Sequence, residues 1–331
     1  MPSASQNLVA DMTIFKRTLG RSGIQVSALG MGCWAIGGPF WKNGQPVGWG
    51  QVNDEESMRA ILRALELGVT FFDTAAVYGC GHSERVLGKA LAGRCDQVVI
   101  ATKFGQVFDE ETRQVQGYDT SPKKIHLDCE ASLRRLNLDC IDLFQLHVKD
   151  LDADHALMVR DTLEDLVQEG KIRFYGWSTD DPERSRIFSR GIHCTAIQQQ
   201  FNVFEGNAKT LEVCEQFNLA SINRGPLNMG LLTGKFTRET EIPKDDVRSR
   251  RPAFQEDRGR RLEILDRIRD VLVQDGRSLP QGALGWLWAR SQKTIPIPGF
   301  KTIAQVEENI GAMHFGPLPD KQMKQIAELL E

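Results

Sequence analysis

The sequence predicts an α/β fold: a closed (β/α)8 barrel in which eight parallel strands alternate with helical crossovers. Three observations carry this reading. Short β-branched or aromatic runs alternate with longer amphipathic stretches, the pattern of βα units on a parallel sheet. The units number eight, the complement of one closed barrel. Finally, the 331 residues would suggest two domains at about 100–200 residues each, but α/β barrels are the main exception to that rule. The whole chain, 1–331, is therefore expected to be one domain, with its barrel core over about 24–315.

The elements follow in order. Thr13–Arg17 and Gly23–Val26, turned around Leu19-Gly20, read as a hairpin that plugs the barrel's bottom. Val26–Gly32 is expected as the first strand. The helix Asn53–Leu67 has a capping box in Asn53 and Glu56, and Gly68 ends it. Val69–Ala75 (strand) and His82–Leu91 (helix) come next, then Gln97–Lys103 and Ser121–Leu136, with Pro122 in the first helical turn. The pattern repeats through Ile141–His147 and Asp154–Glu169, Ile172–Ser178 and Pro182–Ser189, and Thr195–Asn202 and Ala208–Phe217. Ala220–Arg224 is the seventh strand, followed by helices Gly259–Gln274 and Leu279–Arg290; Thr294–Ile297 is the eighth, followed by Ile303–Ala312. Asp320–Leu329 carries apolar residues at helical spacing and should pack as an extra C-terminal helix on the outside. The charged stretch from Gly234 to Arg261 is long for a connection and lies at the barrel's top, where sites are built.

Composition narrows the function classes. Forty-one Lys and Arg against 44 Asp and Glu leave a net charge of −3, so no global basic field exists to hold nucleic acid or an anionic membrane. The seven cysteines include no C-x-x-C, which argues against a disulfide framework or thiolate metal site and favours a reducing compartment. Met1–Asp11 has neither a basic n-region nor an apolar h-region, so the expected location is cytoplasmic. Ile24–Trp41, the longest uncharged stretch, contains four glycines and a proline and fails as a membrane span.

Active sites of such barrels lie at the C-terminal strand ends. There the sequence places Asp73 and Tyr78 (strand two), Lys103 (three), His147 (four), Ser178 and Thr179 (five), Gln198 (within six), Arg224 (seven), and Gly299 and Lys301 (eight). Charges at the ends of buried strands are not what packing alone selects. A structural ion pair for Asp73 and Lys103, and a core position for His147, are the ordinary alternatives. Tyr78 in the same motif tips the balance toward chemistry. A nearby ammonium favours the phenolate and lowers the tyrosine pKa, so Lys103, held by Asp73, would make Tyr78 a proton donor, with His147 polarising a carbonyl oxygen. Ser178 has no partner set for a triad. Protonating a carbonyl requires a hydride source, which implies a nicotinamide; no metal site is expected.

The motifs that carry these residues closely resemble those of the aldo-keto reductase superfamily, over about Phe15 to Ala312. They are Leu29-Gly-Met-Gly-Cys-Trp34, Phe72-Asp-Thr-Ala-Ala-Val-Tyr-Gly79, Gly81-His-Ser-Glu84, Ser132-Leu-Arg-Arg-Leu-Asn-Leu-Asp139 with Ile141-Asp-Leu-Phe-Gln-Leu-His147, Gly170-Lys-Ile-Arg173, Gly230-Leu-Leu-Thr-Gly-Lys235 and Ile297-Pro-Gly-Phe-Lys301. The resemblance implies a catalytic tetrad of Asp73, Tyr78, Lys103 and His147, with Tyr78 as general acid. It implies an NADPH-dependent reductase of aldehydes and ketones, passing hydride from nicotinamide C4 to the carbonyl carbon, with NADH as a weaker donor. Ser178 and Gln198 match positions that bind the nicotinamide carboxamide, with Thr179 beside them in place of the usual Asn. Arg224 stands where many members stack a Tyr, and its guanidinium plane can stack too.

The same resemblance assigns cofactor contacts to Gly32, Cys33 and Trp34, to Asp73, and to Gly225, Pro226 and Leu227. It extends them to Gly230, Leu231 and Lys235, and to Pro298, Gly299 and Phe300. Lys301 would pair a 2′-phosphate beside a helix start; the usual Arg four residues on is Gln305, and Glu308 and Asn309 match the adenine side. Two rival readings remain. One is a sugar or polyol dehydrogenase working oxidatively with NAD(P); the other is a cofactor-sensing regulatory subunit of slow turnover. Substrate choice would rest on the loops Gly37–Gln51, Phe104–Tyr118 and the charged stretch after strand seven, with Trp34, Trp41 and Trp49 forming an aromatic wall. The arginines at 248, 250, 251, 258, 260 and 261, mixed with Asp245, Asp246, Glu256 and Asp257, read as a solvated loop.

Overall fold

The computed structural model describes residues 14–331. Thr13 of the expected hairpin, and the reading of Met1–Asp11, lie outside the described residues. Eight strands pair in parallel in chain order: β1 (Met31–Gly32), β2 (Phe71–Asp73), β3 (Val99–Phe104), β4 (Ile141–Leu146), β5 (Ile172–Ser178), β6 (Cys194–Asn202), β7 (Ala220–Arg224) and β8 (Thr294–Pro296). The ladder closes on itself. Gly30 N donates to Pro296 O and Gly32 N to Pro298 O, both at 3.0 Å, and Gly32 bridges Gly299 in parallel. Glycine is needed at this seam, since a Cβ on Gly32 would come within 2.7 Å of Ile297 O.

The crossovers are α1 (Asp54–Glu66), α2 (His82–Ala90), α3 (Pro122–Leu136), α4 (Ala153–Gln168), α5 (Pro182–Ser189), α6 (Ala208–Gln216), α7 (Arg258–Leu272), α8 (Leu279–Arg290) and α9 (Ile303–Phe315). α10 (Asp320–Leu330) packs on α7, burying Ile326. Several starts are capped as their sequences dictate: Asn53 accepts from Glu56 N, Asp181 from Glu183 N and Arg184 N, and Ser278 forms a capping box with Gln281.

Two expectations are corrected here. Val26–Gly32 is not one strand. Gln25–Ser27 pairs antiparallel with Lys16–Thr18, and only Met31–Gly32 joins the barrel. The chain between them turns because Ala28 N bonds Phe15 O on the hairpin while Gly30 is already committed to the wall. The hairpin does plug the bottom: Leu19 and Val26 pack with Phe71, Val99, Ala101, Leu143, Ile222 and Ile295 inside the barrel. Its turn presses Gly20, at φ +51°, so close to β6 that a Cβ would sit 2.2 Å from Thr195 O. Gly20→Ala should therefore lower unfolding stability by about 2–4 kcal/mol, adding left-handed strain to overpacking. A chemical-denaturation midpoint would measure this, and an unchanged midpoint would show that the plug yields freely.

The second correction concerns the top. Gly37–Gln51 and Phe104–Tyr118 are one small sheet: Gln106–Asp109 pairs with Gln114–Tyr118, Trp41–Lys42 adds alongside, and Gln45–Pro46 completes the edge. The charged stretch is also not a merely solvated run. Trp49 bridges Asp246, the buried Asp246 carboxylate takes Arg248 Nη2 at 2.7 Å, and the Arg248 guanidinium lies 5.0 Å from the Trp49 ring and 5.3 Å from Phe236. Arg261 and Arg258 are bound to Glu205 and to backbone carbonyls of residues 238 and 240. Carboxylate pairing and aromatic cover thus draw Asp246, Arg248, Arg258 and Arg261 out of water, whereas Asp245, Arg250, Arg251, Glu256 and Arg260 are exposed, as expected. Among the described residues, no helix is long and apolar enough to cross a membrane, and no group of three or more His, Cys, Asp or Glu is placed to hold a metal.

Candidate active site

The strand tops bring the four tetrad positions together. Lys103, at 1% exposure, is a buried lysine with all three ammonium protons placed: it donates to Asp73 Oδ1 at 2.5 Å, Thr74 O at 2.7 Å and Tyr78 Oη at 3.3 Å. Its Nζ also lies 4.9 Å from the centre of the Tyr78 ring. Parallel register sets this up, because Asp73 stands opposite Ala101 on β3 and Lys103 opposite Gln145 on β4. Tyr78 reaches the lysine from the turn after β2, where Gly79 and Cys80 both take positive φ (61° and 53°) and Tyr78 N bonds Ala75 O. His147 follows β4, its backbone N held by Phe104 O, and meets Tyr78 edge-on at 5.8 Å between ring centres.

Three electrostatic consequences follow. Burial pulls the Lys103 ammonium down, but Asp73 and then Tyr78 more than offset it and hold the group above the ordinary lysine value. Lys103 is therefore charged throughout the neutral range, and its contribution to stability is lost as pH rises from the ordinary lysine value through that raised one. Tyr78 departs from expectation. Burial pushes its phenol up, and Lys103, pulling down, does not cancel the effect. Tyr78 is thus a protonated acid at neutral pH whose phenolate the ammonium can still stabilise. His147 is held well below the usual imidazole range by burial and by the cations of Lys103, Arg224 and Lys149. It is neutral, and its buried Nδ1 has no hydrogen-bond partner among the described residues.

Sequence reasoning missed the residue that completes this arrangement, Gln145. Its Nε2 donates to Asp73 Oδ2 at 3.0 Å, and Gln198 Nε2 donates to the same oxygen at 2.8 Å and to Gln145 Oε1 at 3.3 Å. The sequence signal was an amide two residues before His147 in a strand whose other residues after Asp142 are apolar.

The remaining expected residues are placed as follows. Ser178 and Thr179 are buried at the end of β5, with Ser178 in register with Gln198. Arg224 at the end of β7 is fixed by an ion pair with Asp180 and a 2.9 Å bond to Gln200 Oε1, two partners not foreseen. Trp34 stacks on Tyr78 at 5.9 Å with Trp49 edge-on to it, whereas Trp41 belongs to the small top sheet. Gly225, Pro226 and Leu227 lead into a turn where Asn228, Met229 and Gly230 all have positive φ. Cys33, Leu231 and Phe300 have buried side chains. Lys235 is exposed and lies 3.8 Å from Glu308. Pro298 and Gly299 form the seam. Lys301 Nζ donates to Trp49 O at 2.6 Å, its amide donates to Gln305 Oε1 at 2.7 Å, and Thr302 caps α9 ahead of Glu308 and the buried Asn309.

The arrangement can deliver one proton from a half-buried phenol to an oxygen placed beside a neutral imidazole. Residues 28–331 match the family model described as the aldo/keto reductase family. The glycerol dehydrogenase AKR11B4 from Gluconobacter oxydans is 33% identical, with a TM-score of 0.83 over 96% of each chain. A Klebsiella pneumoniae aldo-keto reductase solved in complex with NADPH is 25% identical, with a TM-score of 0.70 over 96% of this chain and 95% of that one. Among curated proteins, aldo-keto reductase yakc of Schizosaccharomyces pombe, named with NADP(+), is 28% identical over 325 residues, covering 96% of this chain and 92% of its own. The chain belongs to the aldo/keto reductase family.

Proposed function

We propose that this protein reduces aldehydes or ketones to alcohols with NADPH, accepting NADH less well. The observation that carries this is the Lys103 ammonium buried between the Asp73 carboxylate and the Tyr78 hydroxyl. Tyr78 Oη gives its proton to the carbonyl oxygen, and Lys103 stabilises the phenolate that remains. Asp73 fixes Lys103. Neutral His147 donates an N–H to the same oxygen without adding charge. Trp34, stacked on Tyr78, walls the pocket. Bound nicotinamide supplies the hydride.

The residues present suit that group. Gln198 commits its amide nitrogen to Asp73 and Gln145, which leaves its carbonyl oxygen to accept from a carboxamide. Ser178 stands beside it, and Arg224 holds a fixed guanidinium plane. Lys301 and the start of α9 suit a phosphate, with the Lys301 ammonium exchanging the Trp49 carbonyl for the 2′-phosphate. The NADP(+) in the yakc name and the NADPH bound by the Klebsiella relative support the same cofactor. A cytoplasmic setting fits the seven free thiols.

A panel of carbonyl compounds assayed by loss of NADPH fluorescence tests the proposal. Lys301→Ala should raise KM for NADPH about tenfold and leave that for NADH nearly unchanged, since one charge-assisted contact is lost only with the phosphate. Equal changes for both would place Lys301 in loop support alone. Oxidation of polyols with no carbonyl reduction would favour the dehydrogenase reading.

A further inference from the structure

The geometry points to Gln145 as a positioning residue that couples the proton-donating side chains to the nicotinamide site through a bridge of two amides. This inference rests on the reductase reading above. Gln145 is wholly buried on β4, a strand whose other residues are the buried apolar Ile141, Leu143, Phe144 and Leu146 and, near its start, Asp142 paired with Arg173. A buried primary amide carries two donors and an acceptor that must be satisfied, so at a position packing would fill with Leu it marks a specific task.

That task has two parts. First, Gln145 Nε2 and Gln198 Nε2 both donate to Asp73 Oδ2, at 3.0 and 2.8 Å, so this oxygen is saturated and the carboxylate is held with Oδ1 toward Lys103. The orientation of the Lys103 ammonium, and with it the third proton aimed at Tyr78 Oη, depends on a carboxylate that cannot rotate. Second, Gln145 Oε1 accepts the other proton of Gln198 Nε2 at 3.3 Å. With both amide protons committed inward, Gln198 cannot flip, and its Oε1 has no protein donor among the described residues. It is left as an acceptor at the strand top, where a carboxamide N–H₂ would be read. One side chain therefore fixes both the relay and the carboxamide acceptor, and losing it should disturb acid strength and nucleotide binding together.

Gln145→Met, which keeps the volume and removes every polar atom, separates this role from packing. We expect kcat to fall about tenfold or more, the range of a lost hydrogen bond to a charged group. Kd for NADPH, titrated by fluorescence without turnover, should rise about fivefold as Gln198 becomes free to flip. The alkaline limb of the kcat profile should move to higher pH, because a looser Asp73 aims Lys103 less well at Tyr78 and stabilises the phenolate less. The charged groups facing Tyr78 are Lys103, Asp73 and Arg224, with neutral His147 at its edge, and the substitution changes none of them. A loss of thermal stability accompanied by an unchanged pH profile and unchanged NADPH affinity would overturn the inference, leaving Gln145 a packing residue. If the methionine variant does not fold, Gln145→Asn keeps the amide, withdraws it by one methylene and carries the same expectations. The nucleotide titration needs no activity, so it judges the amide bridge even if the unaltered protein reduces no carbonyl, an outcome that counts against the reductase reading alone.

Discussion

Tyr78→Phe should lower turnover by about 10²–10⁴-fold, the range of a lost general acid, while leaving NADPH affinity within about twofold. The separation follows from geometry. The hydroxyl oxygen alone hydrogen-bonds Lys103, at 3.3 Å, whereas the ring lies near the ammonium, in a stack with Trp34 and edge-on to His147, contacts that phenylalanine keeps. Lys103 loses one of three acceptors but retains Asp73 and Thr74 O, so the cost to folding is modest, about 1 kcal/mol. Stopped-flow single turnovers with excess protein would isolate the chemical step from product release. Near-normal single-turnover rates would remove Tyr78 from the acid role and leave the buried lysine without a catalytic purpose.

Lys103→Met has the other large expected effect, and it acts on two quantities. Turnover should drop about as far as for Tyr78→Phe, because the phenolate left by proton transfer loses its counter-charge in a buried site. Stability should drop too, by about 3–5 kcal/mol, because removing one partner of a buried ion pair strands the other. Asp73 would keep its bonds from Gln145 and Gln198 at Oδ2 but lose the cation at Oδ1. Urea unfolding of this variant beside Tyr78→Phe makes the contrast measurable: both inactive, only one strongly destabilised. Equal stability of the two would show that the glutamine amides alone compensate the carboxylate.

Much of the fold could be read from the sequence because its units are strongly punctuated. The expected Ile172–Ser178, Ala220–Arg224 and Leu279–Arg290 coincide with the observed elements, each bounded by glycine, asparagine, aspartate or serine. The first strand failed where local pattern and tertiary demand diverge: Val26 looks like barrel wall, but it serves the plug, and the wall begins only where two glycines let the chain approach Ile297 and Phe71. The four tetrad positions were legible because charged and phenolic side chains at strand ends violate the packing rule. Gln145 was not, since a neutral amide announces nothing until the carboxylate it serves, 72 residues earlier in the chain, is folded against it. The strength of Tyr78 as an acid was misjudged for a related reason. Sequence shows the neighbouring cation but not the depth of burial that outweighs it.

The glycine seam has a consequence for how the protein becomes active during synthesis. Asp73, Tyr78, Lys103 and His147 all emerge in the first half of the chain, yet the wall that carries them closes only when Gly299 docks beside Gly32. Lys301, two residues later, arrives with it. A nascent chain therefore holds Asp73, Tyr78, Lys103 and His147 long before the wall that carries them can close. Closure thus waits on a contact that links the first strand to the last, so these four side chains stand at an unsealed wall until the eighth strand has been made.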